Sequence, residues 1–178
     1  MTVCFDIPVI ETDRLILRGP QMSDIEPMLS FMTSDRSRFV RSKAEMDANT
    51  TWRALAHVAG MWHLRGYGSF VIEDKATGAA IGMTGPWHPI TWPECELGWS
   101  IWPEAAEGEG YAFEAASAAR DFAFGTLGWT TAVSYIDPAN ARSIALAERL
   151  GCRLDADAAR PDDLTCLVYR HPAPEVCA

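Results

Sequence analysis

Gly108-Glu109-Gly110-Tyr111 follows closely on an apolar run, Glu96-Leu97-Gly98-Trp99-Ser100-Ile101-Trp102, which stops at Pro103. Glycines spaced in this way let a chain approach an anion closely. The first N–H groups of a helix beginning there point outward without partners, and the helix dipole adds to their pull. The chemistry on offer is capture of a phosphate by backbone amides. A plain turn closed by a helix cap uses the same residues, and both readings stand at this point. Upstream, strand alternation places Glu94, Glu96 and Gly98 on one face and Cys95, Leu97 and Trp99 on the other. A carboxylate such as Glu96 serves there as a base, as a binder of a cation, or as a solvated bystander. Downstream, Asn140 and Ser143 sit three apart at a helix start, with Ala147 and Leu150 continuing their face. Helix capping by Asn140 and a bond from Ser143 to the preceding turn are the plain structural roles.

These residues need particular elements to hold them. Residues 94–101 read as the central strand. A helix follows over about 110–126, with Ala112, Ala115, Ala116, Ala119 and Phe122 on one face and Glu114, Ser117 and Asp121 on another. A second strand over 129–136 and a helix near 140–150 complete the unit. Strand, helix and parallel strand predict a right-handed crossover.

The remaining chain supplies the surroundings. Residues 14–18 read as a short strand, with 1–10 a lead-in. Ser23-Asp24-Ile25-Glu26 has capping-box spacing ahead of a stripe made by Ile25, Met28, Leu29 and Met32. Residues 33–44 are polar and read as a loop. A helix over 46–65 carries Trp52, Leu55, Ala56, Ala59 and His63 on one face and ends at Gly66 and Gly68. Strands 69–74 and 80–87 form a hairpin, in which Gly82 and Gly85 mark a bulge or a close backbone approach. A loop over 88–93 leads to the central strand. Strands at 152–155 and 164–170 flank an acidic loop, and residues 171–178 form a tail.

A chain of 178 residues with 48% hydrophobic content and seven tryptophans fits one domain, residues 1–178, with a packed core. No run reaches the roughly 18 apolar residues of a membrane span, and the N-terminus lacks a signal pattern, so no membrane partner is expected. The five cysteines, Cys4, Cys95, Cys152, Cys166 and Cys177, form no Cys-x-x-Cys pair; free thiols in a reducing cytoplasm are the natural reading. No histidine or basic neighbour accompanies Cys95 in the sequence, so a packed thiol is expected rather than a nucleophile. The histidines show no metal-ligand spacing, so no metal is expected. A net charge of −9, from 24 acidic and 15 basic residues, disfavours nucleic acid and favours a cationic partner such as an amine.

The combination of Gly108-Glu-Gly-Tyr111, Glu114-Ala115, Pro138-x-Asn140-x-x-Ser143 and Leu150-Gly151-Cys152, with the opening Glu11-Thr-Asp-Arg-Leu-Ile-Leu-Arg18, resembles the GNAT superfamily of N-acetyltransferases over nearly the whole chain. It looks most like the branch of ribosomal-protein N-terminal acetyltransferases. The resemblance implies an α/β fold of the α+β kind. Its twisted, mostly antiparallel sheet has six to seven strands with a central parallel pair that splays apart, and about four helices. Acetyl-CoA is then the cosubstrate and an amine the acceptor, a peptide N-terminus or a small molecule, by direct transfer in a ternary complex. An acyl-CoA-binding or regulatory module with little catalysis is the alternative. Homodimers are frequent among relatives.

The family's roles carry over as follows. Backbone groups of Trp99, Ile101 and Trp102 pair with the pantetheine arm, and N–H groups from Glu107, Gly108, Glu109, Gly110, Tyr111 and Ala112 hold the pyrophosphate. Asn140 contacts the cofactor, Glu96 is the base, and Ser143 assists the departing thiolate. Helical residues Trp52, Trp62 and His63 are substrate contacts by resemblance, with core packing as their other role. Three departures stand out. Ala147 replaces the tyrosine that many relatives use as acid, Ala105 replaces a Gln or Arg, and Glu107 and Glu109 lie where relatives often place a cation. The last two carboxylates are read as pointing outward from a surface loop.

Overall fold

The computed structural model describes residues 6–40, 46–162 and 164–173. Cys4, Cys177, parts of the lead-in, of the 33–44 loop and of the tail, and Asp163 in the acidic loop lie outside the described residues.

Among the described residues, eight strands form one sheet in the order β1-β2-β3-β4-β5-β6-β8-β7. They are β1 (Ile10–Glu11), β2 (Leu15–Arg18), β3 (Phe70–Asp74), β4 (Ala80–Trp87), β5 (Glu96–Ile101), β6 (Val133–Ile136), β7 (Arg153–Leu154) and β8 (Leu167–Arg170). Four α-helices accompany them: α1 (Ile25–Met32), α2 (Ala48–Arg65), α3 (Tyr111–Asp121) and α4 (Ala141–Arg149). The strand beyond the six or seven expected is β1, a two-residue edge paired antiparallel to β2. Every neighbouring pair is antiparallel except β5 and β6.

Alternation along β3 feeds two cores. Phe70 and Ile72 pack with Leu15, Leu17, Ala115, Ala119 and Phe122. Val71 packs with Met28, Phe31, Met32, Leu55 and Trp102. Alanines make the buried side of α3, so the helix lies close to the sheet. At Phe122 its bonding widens: Leu127 N–H reaches the Phe122 carbonyl across a π turn, Phe122–Thr126.

The inward face of α2 differs from expectation. Thr51, Leu55, Val58, Met61 and Trp62 are buried, whereas Trp52 is 46% exposed and His63 is also exposed. Spacings of four, three and three from Thr51 onward carry the stripe, and the bulk of Trp52 points the pattern one residue out of phase. Asp47 caps the helix by accepting the Thr50 N–H, and Gly66 ends it in the left-handed region, φ 75°. The capping box expected at Ser23 and Glu26 is replaced by Asp24. Its buried carboxylate accepts the Gln21 N–H at 2.7 Å and pairs with half-buried Arg18. Gly82 is a close approach: a Cβ there would meet the Ser100 carbonyl of β5 at 2.3 Å. A bulge lies beside it in β4: Ile72 of β3 faces Gly82 and Glu73 faces Ala80, which leaves Ile81 as the extra residue.

Candidate active site at the parting of two strands

Strands β5 and β6 pair at one register position, Glu96 opposite Val133, where the Val133 N–H reaches the Cys95 carbonyl at 2.9 Å. The next β5 carbonyl facing β6, that of Leu97, accepts a side-chain hydroxyl, Ser134 Oγ at 2.6 Å. Ser134 has one proton and gives it to Leu97, so at 3.0 Å it accepts from His171 Nε2. His171 is 3% exposed, and its Nδ1 has no partner among the described residues. Burial, then the Arg120 charge, pushes its pKa down to about 4, and the ring is neutral. A hydroxyl and an imidazole thus stand where a ladder would continue, and the strands separate beyond them. Alternation turns the backbone groups of Trp99 and Ile101 into the resulting gap. Trp102 differs, because its N–H is bonded to the Ile81 carbonyl at 2.8 Å.

Beyond β5 the chain makes a short turn, Glu104–Ala106, and passes through Gly108 and Gly110, both at φ 82°. Ordinary side chains avoid this region, and glycine adopts it freely. The first bond within α3 runs from the Glu114 N–H to the Gly110 carbonyl, so the amides before it have no helical acceptor. A Cβ on Gly108 would meet no described atom within 4 Å, so the loop opens onto free space. These features fit a backbone cradle for a phosphate. The Glu107 N–H is bonded to the Glu104 carbonyl, which leaves donors from Gly108 onward.

Arginines from distant segments converge on this loop. Arg36, in the turn Asp35–Phe39, pairs with Glu107 and also donates to the carbonyls of Ile101 and Trp102. Arg142, in the first turn of α4, pairs with the other Glu107 oxygen. Burial disfavours the Glu107 charge, but hydrogen bonds and charge from Arg36 and Arg142 prevail and hold its pKa below the usual carboxylate range. Glu107 therefore does not point outward. Arg14 donates to the Glu109 carbonyl at 2.9 Å, pairs with Glu114 at 2.7 Å and lies 4.5 Å over the Tyr111 ring.

Across the gap, Asn140 caps α4 by accepting the Ser143 N–H at 3.2 Å. Trp99 Nε1 donates to Ser143 Oγ at 3.2 Å, which leaves the serine proton free to be donated elsewhere. Ala147 is fully buried among Ala116, Leu150 and Cys152.

Glu96 lies at the closed end of the gap. Its Oε2 accepts from Trp92 Nε1 at 2.5 Å. Burial raises its pKa to about 7, against the lowering effect of that indole and of the Tyr135 backbone N–H. Burial and then the carboxylates of Glu94 and Glu96 also push the Tyr135 phenol up. Neighbouring Glu94 is held by Arg170 at 2.8 Å. Trp87, opposite Glu96 on β4, packs at 4.8 Å on the His57 ring. Trp87, Trp92 and Tyr135 form an aromatic wall around the carboxyl.

The structure thus gathers Glu96, Trp99, Ile101, Asn140, Ser143 and the 108–112 loop around one gap. Trp62 lies instead in the core, against Phe70 and Phe122, with its N–H on the Ser69 carbonyl. Trp52 and His63 lie on the outward side of α2. Cys95 has a histidine neighbour that sequence order hides, His88 Nδ1 at 3.8 Å, yet burial raises the thiol pKa and keeps it protonated. Arg14, Arg36, Tyr135 and His171 gave no spacing signal. Arg142, beside the Asn140 cap, was the readable one. Among the described residues no helix is long and apolar enough to cross a membrane, and no group of three or more His, Cys, Asp or Glu is placed to hold a metal.

Residues 14–153 match the family model of the GNAT acetyltransferase domain, and the chain belongs to that family. It is 35% identical over 147 residues to the YkkB protein of Bacillus subtilis (strain 168), covering 79% of this chain and 82% of that one. It is similar to the crystal structure of an acetyltransferase from Agrobacterium tumefaciens str. C58, with 43% identity, TM-score 0.86, and 97% and 98% of the two chains covered. The ribosomal-protein-S5-alanine acetyltransferase of Vibrio fischeri shares the fold at 16% identity, TM-score 0.71, over 94% and 98%.

Proposed function

We propose that the protein is an acetyl-CoA-dependent N-acetyltransferase that acylates a primary amine, a peptide N-terminus or a small molecule, by direct transfer in a ternary complex. The observation that carries this reading is Glu96. A carboxyl with a pKa of about 7 stands at the closed end of a gap whose far wall holds Ser143. Acetyl-CoA supplies the thioester.

Backbone groups of Trp99 and Ile101 hold the pantetheine arm, and N–H groups of residues 108–112 hold the pyrophosphate. An alkylammonium carries one proton too many to attack a carbonyl. Glu96, ionised above about pH 7, takes that proton directly or through a water. The amine nitrogen then bonds to the acyl carbon as the carbon–sulfur bond breaks, and the second proton that the nitrogen sheds ends on the departing sulfur. The Ser143 hydroxyl, polarised by the Trp99 N–H, donates a hydrogen bond to the sulfur that leaves. The chain's net charge of −9 draws a cationic acceptor. Cys95, Cys152 and Cys166 are free thiols, which suits a reducing cytoplasm.

A second reading, a CoA-binding module without transfer, is favoured by Ala147, whose buried methyl leaves no acid in the tyrosine's place. Calorimetric titration with acetyl-CoA and CoA, with ATP as control, followed by amine-dependent thiol release, decides between them. Binding with amine-dependent release supports the enzyme. Binding without release leaves the module, and no binding of either CoA species overturns both.

A further inference from the structure

The structure places an anion at the phosphate loop already, and that anion is the chain's own. The Glu107 carboxylate receives Arg36 on one oxygen and Arg142 on the other, beside the Gly108 position that opens onto free space. We propose that Arg36 and Arg142 are ligands for the phosphates of CoA, and that Glu107 is the internal counter-anion those phosphates displace. The proposal rests on the acetyl-CoA reading above.

The two guanidiniums have different duties. Arg36 is 24% exposed and also grips the Ile101 and Trp102 carbonyls, so it is fixed at the end of β5 where the loop begins. Arg142 is 81% exposed, and Glu107 is its described partner. An ion pair so exposed is weak and screened by salt, and its geometry is readily surrendered. A phosphate offers more charge and more acceptor oxygens than a carboxylate, in a spacing that suits the guanidinium fork. Arg142 is thus free to swing from Glu107 to a phosphate while Arg36 stays. The loop itself has acidic Glu107 and Glu109 and no Lys or Arg; the cations on its Glu107 side come from residues 36 and 142, while Arg14 is held on the far side by Glu114.

The test is calorimetric titration of CoA and of dephospho-CoA into the wild type, Arg142→Ala, Arg142→Lys and Glu107→Gln, at low and at physiological salt. Arg142→Ala weakens CoA about fivefold to tenfold at low salt and less at high salt. Lys restores part of the loss, because it brings charge without the fork. Glu107→Gln removes the competitor and tightens CoA. A loss shared by dephospho-CoA assigns Arg142 to the pyrophosphate, and a loss confined to CoA assigns it to the 3′-phosphate. Unchanged affinity in Arg142→Ala overturns the proposal. So does a weakening by Glu107→Gln, which makes the carboxylate a brace that organises the arginines. Wild type that binds neither nucleotide overturns the acetyl-CoA reading itself. Thermal melting of Arg142→Ala stays near wild type, given its exposure, which separates binding from folding.

Discussion

Trp92 donates its indole N–H to Glu96 at 2.5 Å from only four residues upstream, across a turn that contains Pro93. The ring covers the carboxyl and at the same time steadies its ionised form. A raised pKa and an escape from complete neutralisation thus come from one loop.

If Glu96 is the base, kcat/KM for acetyl transfer rises with pH through an apparent pKa of about 7. Trp92→Phe removes the donor, so the same limb moves upward by about half a pH unit to one. Glu96→Gln removes the limb and lowers the rate about 100-fold. A pH–rate profile of the three proteins checks this, and an unchanged limb in Glu96→Gln rules the residue out as base.

Stability responds to pH with opposite signs at two sites. The Glu96 pKa is raised in the fold, so the native state holds its proton longer than the unfolded chain does. Stability therefore falls as pH rises from the ordinary 4.5 through about 7. The His171 pKa is depressed, so the native state binds fewer protons, and stability falls as pH drops from 6.5 toward about 4. Keeping this buried ring neutral while the unfolded chain takes up a proton costs the fold about 3 kcal/mol by pH 4. Denaturant unfolding across pH 4–8 reads both effects. The acid limb flattens in His171→Asn and the other limb in Glu96→Gln.

Ser143→Ala removes the hydroxyl and leaves the Trp99 N–H without its acceptor. The expected result is about a tenfold loss in kcat with CoA affinity changed less than about twofold. Trp99→Phe should lower kcat in the same direction. Steady-state kinetics beside calorimetry separates the two effects, and a fall in affinity equal to the fall in rate identifies Ser143 as a binding residue only.

Gly82→Ala tests the packing of β4 on β5. Its Cβ meets a backbone carbonyl at 2.3 Å, so the strands themselves must shift. A loss of about 2–4 kcal/mol follows, measured by chemical denaturation. Gly110→Ala, by contrast, has its nearest atom at 3.5 Å, on flexible Arg14. The left-handed backbone there costs about 1–2 kcal/mol.

The sequence displayed whatever was local. Glycines 108 and 110, the alanine face of α3 and the Asn140 cap are all read from neighbours within a few residues. The parting of β5 and β6 came from resemblance, since it depends on Ser134 and His171, 37 residues apart. Arg36, unlike Arg142 beside the Asn140 cap, was hidden for the same reason, because it lies 71 residues from Glu107. On α2, both stripes had helical spacing, and only the arrival of Phe70 and Val71 decided which one turned inward. The partner of Cys95 was hidden by the loop that folds His88 back upon it.

The single Glu96–Val133 bridge has a geometric consequence. The gap beyond it tapers to nothing at that point, so the two leaves of the sheet form a caliper with its pivot beside the carboxyl. If the proposed acyl donor lies in this gap, a chain lengthened toward the pivot runs out of room beside the Ser134 hydroxyl, which holds the Leu97 carbonyl there.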